Sequence, residues 1–180
     1  DAITLTDSFV NSDAASFSST EAGNGGFVHL HAPTIDLRSS LVSTTTLGAG
    51  NAGNTLLEAQ QLTLSASESG LFNRAGTNIS TLTQGPGQAG SITIRGLDGP
   101  GSRAQDVAIS GASALLSRTS STGNAGTISI DTVRLAVADG SLINTETNSG
   151  TGAGGNILVN TNSVTLQTGG IITASSTGAG

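Results

Sequence analysis

A glycine-rich tetrad recurs along these 180 residues, and internal repetition at such spacing restricts the possible folds severely. It stands at Gly23-Asn24-Gly25-Gly26, Gly50-Asn51-Ala52-Gly53, Gly87-Gln88-Ala89-Gly90, Gly123-Asn124-Ala125-Gly126 and Gly152-Ala153-Gly154-Gly155. Gly178-Ala179-Gly180 reads as the start of another. Successive starts lie 27, 37, 36, 29 and 26 residues apart. A constant scaffold with loop insertions accounts for that variation, and the extra residues fall near 67–78 and 96–105.

Each tetrad leads into apolar residues at every second position. The pairs are Val28 and Leu30, Thr55 and Leu57, Ile92 and Ile94, Ile128 and Ile130, and Ile157 and Val159, with Thr55 the one polar member of the ten. Alternation of this kind marks a half-buried strand. A second strand follows at Ile3 and Leu5, Ile35 and Leu37, Leu62 and Leu64, Val107 and Ile109, Leu135 and Val137, and Val164 and Leu166. A third begins at Val42, Ile79, Leu116, Ile143 and Ile172. Turn residues such as Asp139-Gly140 and Gly169-Gly170 separate them. For residues 8–22, either Val10 or Phe17-Ser18-Ser19 opens the third strand.

No single repeat can bury its own apolar face, so the repeats must stack. The expectation is an all-β, right-handed parallel β-helix of three short strands per coil and about five to six coils. It would form one segment over 1–180, with coils starting near 23, 50, 87, 123 and 152 and no helices. At about 4.8 Å per coil the rod is roughly 25 Å long. One row tests this register. Five residues past each tetrad stand His31, Glu58, Arg95, Asp131 and Asn160, so stacking places opposite charges side by side.

Composition agrees with a narrow core and excludes several functions. Aromatic residues make up 2% of the chain, and there is no Cys, Met, Trp or Tyr. Net charge is −6, and all six cations are Arg. Without a basic cluster, nucleic-acid binding is excluded. No apolar run approaches the roughly 20 residues of a transmembrane helix. The start at Asp1 within a strand pattern, without a leader, reads as a trimmed or processed piece.

The motifs Gly-Asn-Ala-Gly, Ile-Ser-Ile-Asp-Thr, Arg-Leu-Ala-Val-Ala-Asp-Gly and Ile-Ile-Thr-Ala-Ser-Ser-Thr lie within Gly123 to Gly140 and Gly152 to Gly180. They resemble the repeats of filamentous-haemagglutinin-like exoproteins, the large cyanobacterial members above all. That resemblance implies a β-helix exported by two-partner secretion through an outer-membrane transporter, with adhesion or filament formation at the bacterial cell surface. The Asn-Pro-Asn motifs of the family's secretion domain do not occur, so the chain resembles the repeat shaft.

Candidate sites are few. His29 and His31 share a strand face, and Glu58 falls one coil away; a metal would need such a third ligand. The set reads better as a surface ladder than as a metal site, and no cofactor is expected. The outward row of the third strand, Ser43, Thr45, Ser80, Ser117, Thr119, Asn144, Thr173 and Ser175, forms a hydroxyl-rich face that could hold glycan. The long loops offer an alternative glycan- or surface-binding site. Catalysis needs clustered acids or bases. The eight Asp and four Glu are scattered, with Asp131 and Asp139 the densest pair, so no enzyme is expected. A polysaccharide-active enzyme is the remote alternative. The leading reading is a rigid extracellular shaft of an adhesin or filament. Its partners would be continuing repeats or further copies stacked end to end, and its mechanism mechanical.

Overall fold

The computed structural model describes residues 1–14, 23–66, 76–148 and 150–177. Strands and turns fill them, and among the described residues no helix is long and apolar enough to cross a membrane. In chain order the strands are β1 (Ala2–Thr6) and β2 (Phe9–Asn11). Next come β3 (Val28–His31), β4 (Thr34–Arg38) and β5 (Leu41–Thr46). They are followed by β6 (Thr55–Glu58), β7 (Gln61–Ser65) and β8 (Asn78–Thr83), then by β9 (Ile92–Arg95), β10 (Ala104–Ile109) and β11 (Ala114–Thr119). The last are β12 (Ile128–Val137), β13 (Leu142–Thr147), β14 (Ile157–Asn160), β15 (Ser163–Leu166) and β16 (Ile171–Ser176).

All pairing between these strands is parallel, and equivalent strands of successive repeats lie side by side. Val28 faces Thr55, Thr55 faces Ile92, Ile92 faces Ile128, and Ile128 faces Ile157. Ile3, Ile35, Leu62, Val107, Leu135 and Val164 form a second row. Val10, Val42, Ile79, Leu115, Ile143 and Ile172 form a third. The molecule is a repeat-like, solenoid-type stack of parallel strands.

The expected three-strand coil is overturned by the sheet order. The strands form two sheets, one of ten strands and one of six. In the fourth full repeat the strands expected at Ile128 and at Leu135 are one continuous ten-residue strand, β12. It pairs with β9, β10, β14 and β15 and so joins the two expected rows into one sheet. The cause lies in Asp131-Thr132-Val133-Arg134. Thr132 and Val133 both favour extended backbone, whereas the corresponding links Ala59-Gln60 and Thr161-Asn162 lack such a β-branched pair and break. The equivalent link after β3 contains Pro33, which has no amide to donate to a ladder.

A second correction concerns the third row. Leu115, fully buried, is the ladder partner of Ile79 and Ile143, and Leu116 faces outward. Ser117 and Thr119 therefore point inward and are buried rather than part of an outer face. The insertion near 67–78 lies, except for 76–78, outside the described residues, as does the alternative strand start at Phe17. Val10 lies within β2.

The core is a narrow apolar column: Ile35, Leu37, Leu57, Leu62, Leu64, Ile92, Ile94, Ile128 and Ile130 are each almost completely buried. Each buried aliphatic side chain of this size is worth about 1.5–3 kcal/mol. Against the six-stranded sheet the column gives way to hydroxyls. Thr44 Oγ1 donates to Gly53 O at 2.6 Å, Thr81 Oγ1 to Gly90 O at 2.7 Å, Ser117 Oγ to Gly90 O at 2.8 Å and Thr147 Oγ1 to Ala153 O at 2.7 Å. These inward hydroxyls satisfy carbonyls of the tetrads, which curve past the sheet too closely for larger side chains. The tetrads also stack on one another. A Cβ on Gly90 would collide with Gly53 O, and one on Gly126 with Gly90 O. Their asparagines form a ladder, with Asn24 Oδ1 accepting from Asn51 N and Asn51 Oδ1 from Gln88 N, both at 2.8 Å.

Tight turns join the ten-stranded sheet to the six-stranded one. Asp139 and Gly140 both take positive φ, 53° and 71°, and Ser141 N closes the turn on Ala138 O at 3.0 Å. Gly111 and Ala112 repeat this geometry, as do Thr168 and Gly169, one residue earlier than the Gly169-Gly170 pair expected there. Two consecutive positive φ values suit the twist of such sharp reversals.

Candidate functional site

The densest group of titratable side chains among the described residues is built where β3, β6 and β9 lie side by side. Alternation along β3 sends His29 and His31 to the same outer face. Pairing of β3 with β6 sets His31 opposite Glu58, and pairing of β6 with β9 sets Glu58 opposite Arg95. Glu58 Oε2 receives both imidazoles, His29 Nε2 at 2.8 Å and His31 Nδ1 at 3.0 Å. Arg95 holds the other carboxylate oxygen, with Nε at 2.8 Å and Nη2 at 2.7 Å from Oε1. Phe27 lies beside His29, their ring centroids 6.0 Å apart.

Glu58 is buried beneath these neighbours, while both imidazoles remain half exposed. The hydrogen bond from His31, with those from Arg95 and His29, brings its pKa down from 4.5 to about 2 against the opposing effect of burial. The carboxylate is thus anionic and oriented, with one oxygen committed to Arg95 and the other shared by two ring nitrogens. His29, His31 and Glu58 each offer a ligand atom, and the three atoms lie within 4.8 Å of one another. Further along the same row, Asn160 Nδ2 donates to Asp131 Oδ1 at 3.1 Å.

No family model, no curated protein and no solved structure matches this chain.

The third-strand face is less continuous than its sequence implies. Its outer rows are Ser43, Ser80, Leu116, Asn144, Thr173 and Thr45, Leu82, Arg118, Glu146, Ser175. Two leucines and the Arg118–Glu146 ion pair at 3.1 Å interrupt it. Its polar groups are also engaged. Ser43 Oγ donates to Asp13 Oδ1 at 2.9 Å, and Asn144 Nδ2 to Glu146 Oε2 at 3.0 Å.

The insertion near 96–105 folds into a compact loop closed by Gly96 N on Ser102 O at 3.3 Å and Ser102 N on Gly99 O at 3.1 Å. Arg103 anchors it. Its Nη1 donates to Asn162 Oδ1 at 2.9 Å, and its Nη2 to Thr132 O at 2.5 Å. Beside the loop lies an open recess of about 410 Å³, lined by Gln60, Leu97, Asp98, Gly101, Ser102, Arg103 and Gln105. Residue spacing located this loop but gave no sign of the recess, because Gln60 and Gln105 come together only through stacking. Asp131 and Asp139 lie at separate places, the first within β12 and the second in a turn, and the structure builds no paired-acid site from them.

Proposed function

We propose that this chain is a structural element, a stiff shaft of an extracellular adhesin or filament that stacks end to end with continuing repeats or with further copies of itself. The carrying observation is the state of the last repeat. Leu135 and Val137 are 2% and 0% exposed within the stack, whereas their row partners Val164 and Leu166 are 46% and 49% exposed. The same inward positions, together with an unpaired strand edge, lie open at that end, and edges of this kind recruit further strands. At the other end Ile3 and Leu5 of the same row are only partly buried. The two faces carry compatible rows, so a second copy stacked in register would cover both. The adhesin setting, with export through an outer-membrane transporter, rests on the resemblance of the tetrad repeats to filamentous-haemagglutinin-like shafts.

Electron microscopy of the concentrated protein tests this. Rods with an axial spacing of about 4.8 Å between strands are expected, and the double substitution Val164→Lys with Leu166→Lys should abolish them. Discrete monomers at high concentration would reject the shaft reading. A binding module working through the Gln60, Ser102 and Gln105 recess would then lead, to be sought on a glycan array.

A further inference from the structure

We infer that His29, His31 and Glu58 form a binding site for a divalent transition-metal ion of the zinc type, tying the β3 repeat to the β6 repeat. The inference does not depend on the shaft reading, since all three donors belong to one chain and meet across the β3–β6 pair.

The donors have the right chemistry. Two imidazoles and one carboxylate select zinc, nickel or copper over calcium and magnesium, which take oxygen ligands. Three protein ligands with a fourth position open to solvent is a recurrent zinc arrangement. The donors also have nearly the right spacing. Around tetrahedral zinc, with bonds of about 2.0–2.1 Å, neighbouring ligand atoms stand roughly 3.3 Å apart. Here His29 Nε2 and His31 Nδ1 lie 2.8 and 3.0 Å from Glu58 Oε2. An opening of about half an ångström admits the ion, and the half-exposed imidazoles can supply it by small side-chain rotations while the strands stay fixed.

The backbone and Arg95 prepare the site. The ligands come from two paired parallel strands rather than from a loop, His29 within β3 and His31 and Glu58 at the last residues of β3 and β6, so their relative positions are set before any ion arrives. Arg95 grips Oε1 through two nitrogens, which fixes the carboxylate plane and leaves Oε2 as a single ligand atom. Partners behind a ligand tune metal affinity in this way. Each imidazole must present a lone pair at the ligating nitrogen, so any proton shared there with Oε2 moves to the other ring nitrogen or to solvent as the ion enters.

The test is calorimetric titration of the metal-free protein with zinc chloride, with cobalt(II) absorption as a report of coordination. Zinc should bind and raise the melting temperature, and cobalt should give the intense visible bands of four-coordinate geometry. His29→Asn and His31→Asn should each weaken zinc about tenfold or more, and the double variant should lose both the affinity and the thermal shift. The imidazoles are half exposed, so these variants keep the fold. Glu58→Gln also breaks the Arg95 pair, which is why the histidine variants carry the test. No binding at millimolar zinc, or binding unchanged in the double variant, would overturn the site.

Discussion

Glu58 sits beneath two imidazoles and a guanidinium, and its acidity couples the stacking of repeats to pH. Its pKa in the folded chain, about 2, lies below the ordinary 4.5. A group depressed in this way stabilises the fold in full above its unfolded pKa, and that contribution disappears as pH falls toward the folded one. For the metal-free protein, denaturant midpoints should be level from pH 7 to about pH 5 and decline between there and pH 2. Glu58→Gln should lower the midpoint at pH 7 and flatten the decline; an equally steep decline in the variant would place the acid sensitivity elsewhere. The alternating-charge row from His31 to Asn160 could be read in the sequence because it needs only residue identity and a fixed offset from each tetrad. The burial of Glu58 could not be read there. It results from three side chains converging from two neighbouring strands.

Among the strands, β11 shows most plainly where pattern stops being decisive. Ala114-Leu115-Leu116-Ser117 fits two phases of alternation equally well. The deciding signal is Arg118. With Leu116 inward, period two would also send Arg118 into the core, where an unpaired charge is prohibitively costly. With Leu115 inward, Arg118 faces out and meets Glu146. Leu115→Ala should therefore cost about 2–5 kcal/mol, as buried leucine truncations do, and Leu116→Ala well under about 1 kcal/mol. Comparable losses in the two variants by thermal denaturation would refute the register. The fusion within β12 was hidden for a related reason. Strand rows were legible from apolar spacing, but whether a link breaks depends on its two or three residues, Ala32-Pro33 after β3 and Ala59-Gln60 after β6 against the β-branched Thr132-Val133 within β12. Ser117 and Thr119 turn inward with Leu115 as part of the same register, and Ser117 Oγ meets Gly90 O there.

Over the whole molecule, each strand other than β12 pairs only with its equivalents in the repeats before and after. Stability in such an arrangement is a sum over neighbours, so opening starts at the ends. Amide hydrogen exchange should be fastest in β1, β2 and β14 to β16 and slowest from β6 to β11; uniform protection would mean cooperative behaviour that nearest-neighbour stacking does not provide. The tetrad rows have a further consequence. Gly53, Gly90, Gly126 and Gly155 each rest on the glycine of the preceding repeat through the same backbone contact. Along the glycine row the seam between any two of these repeats is therefore built alike. A gene encoding this chain can lose or duplicate a whole repeat by unequal recombination and still specify matching seams, whereas a frame of any other length would set a side chain against a carbonyl. Within a repeat, length can drift only where the chain leaves the ladder, as it does between Gly96 and Arg103. Seen this way, the spacing of the glycines records which changes of length such a lineage can survive.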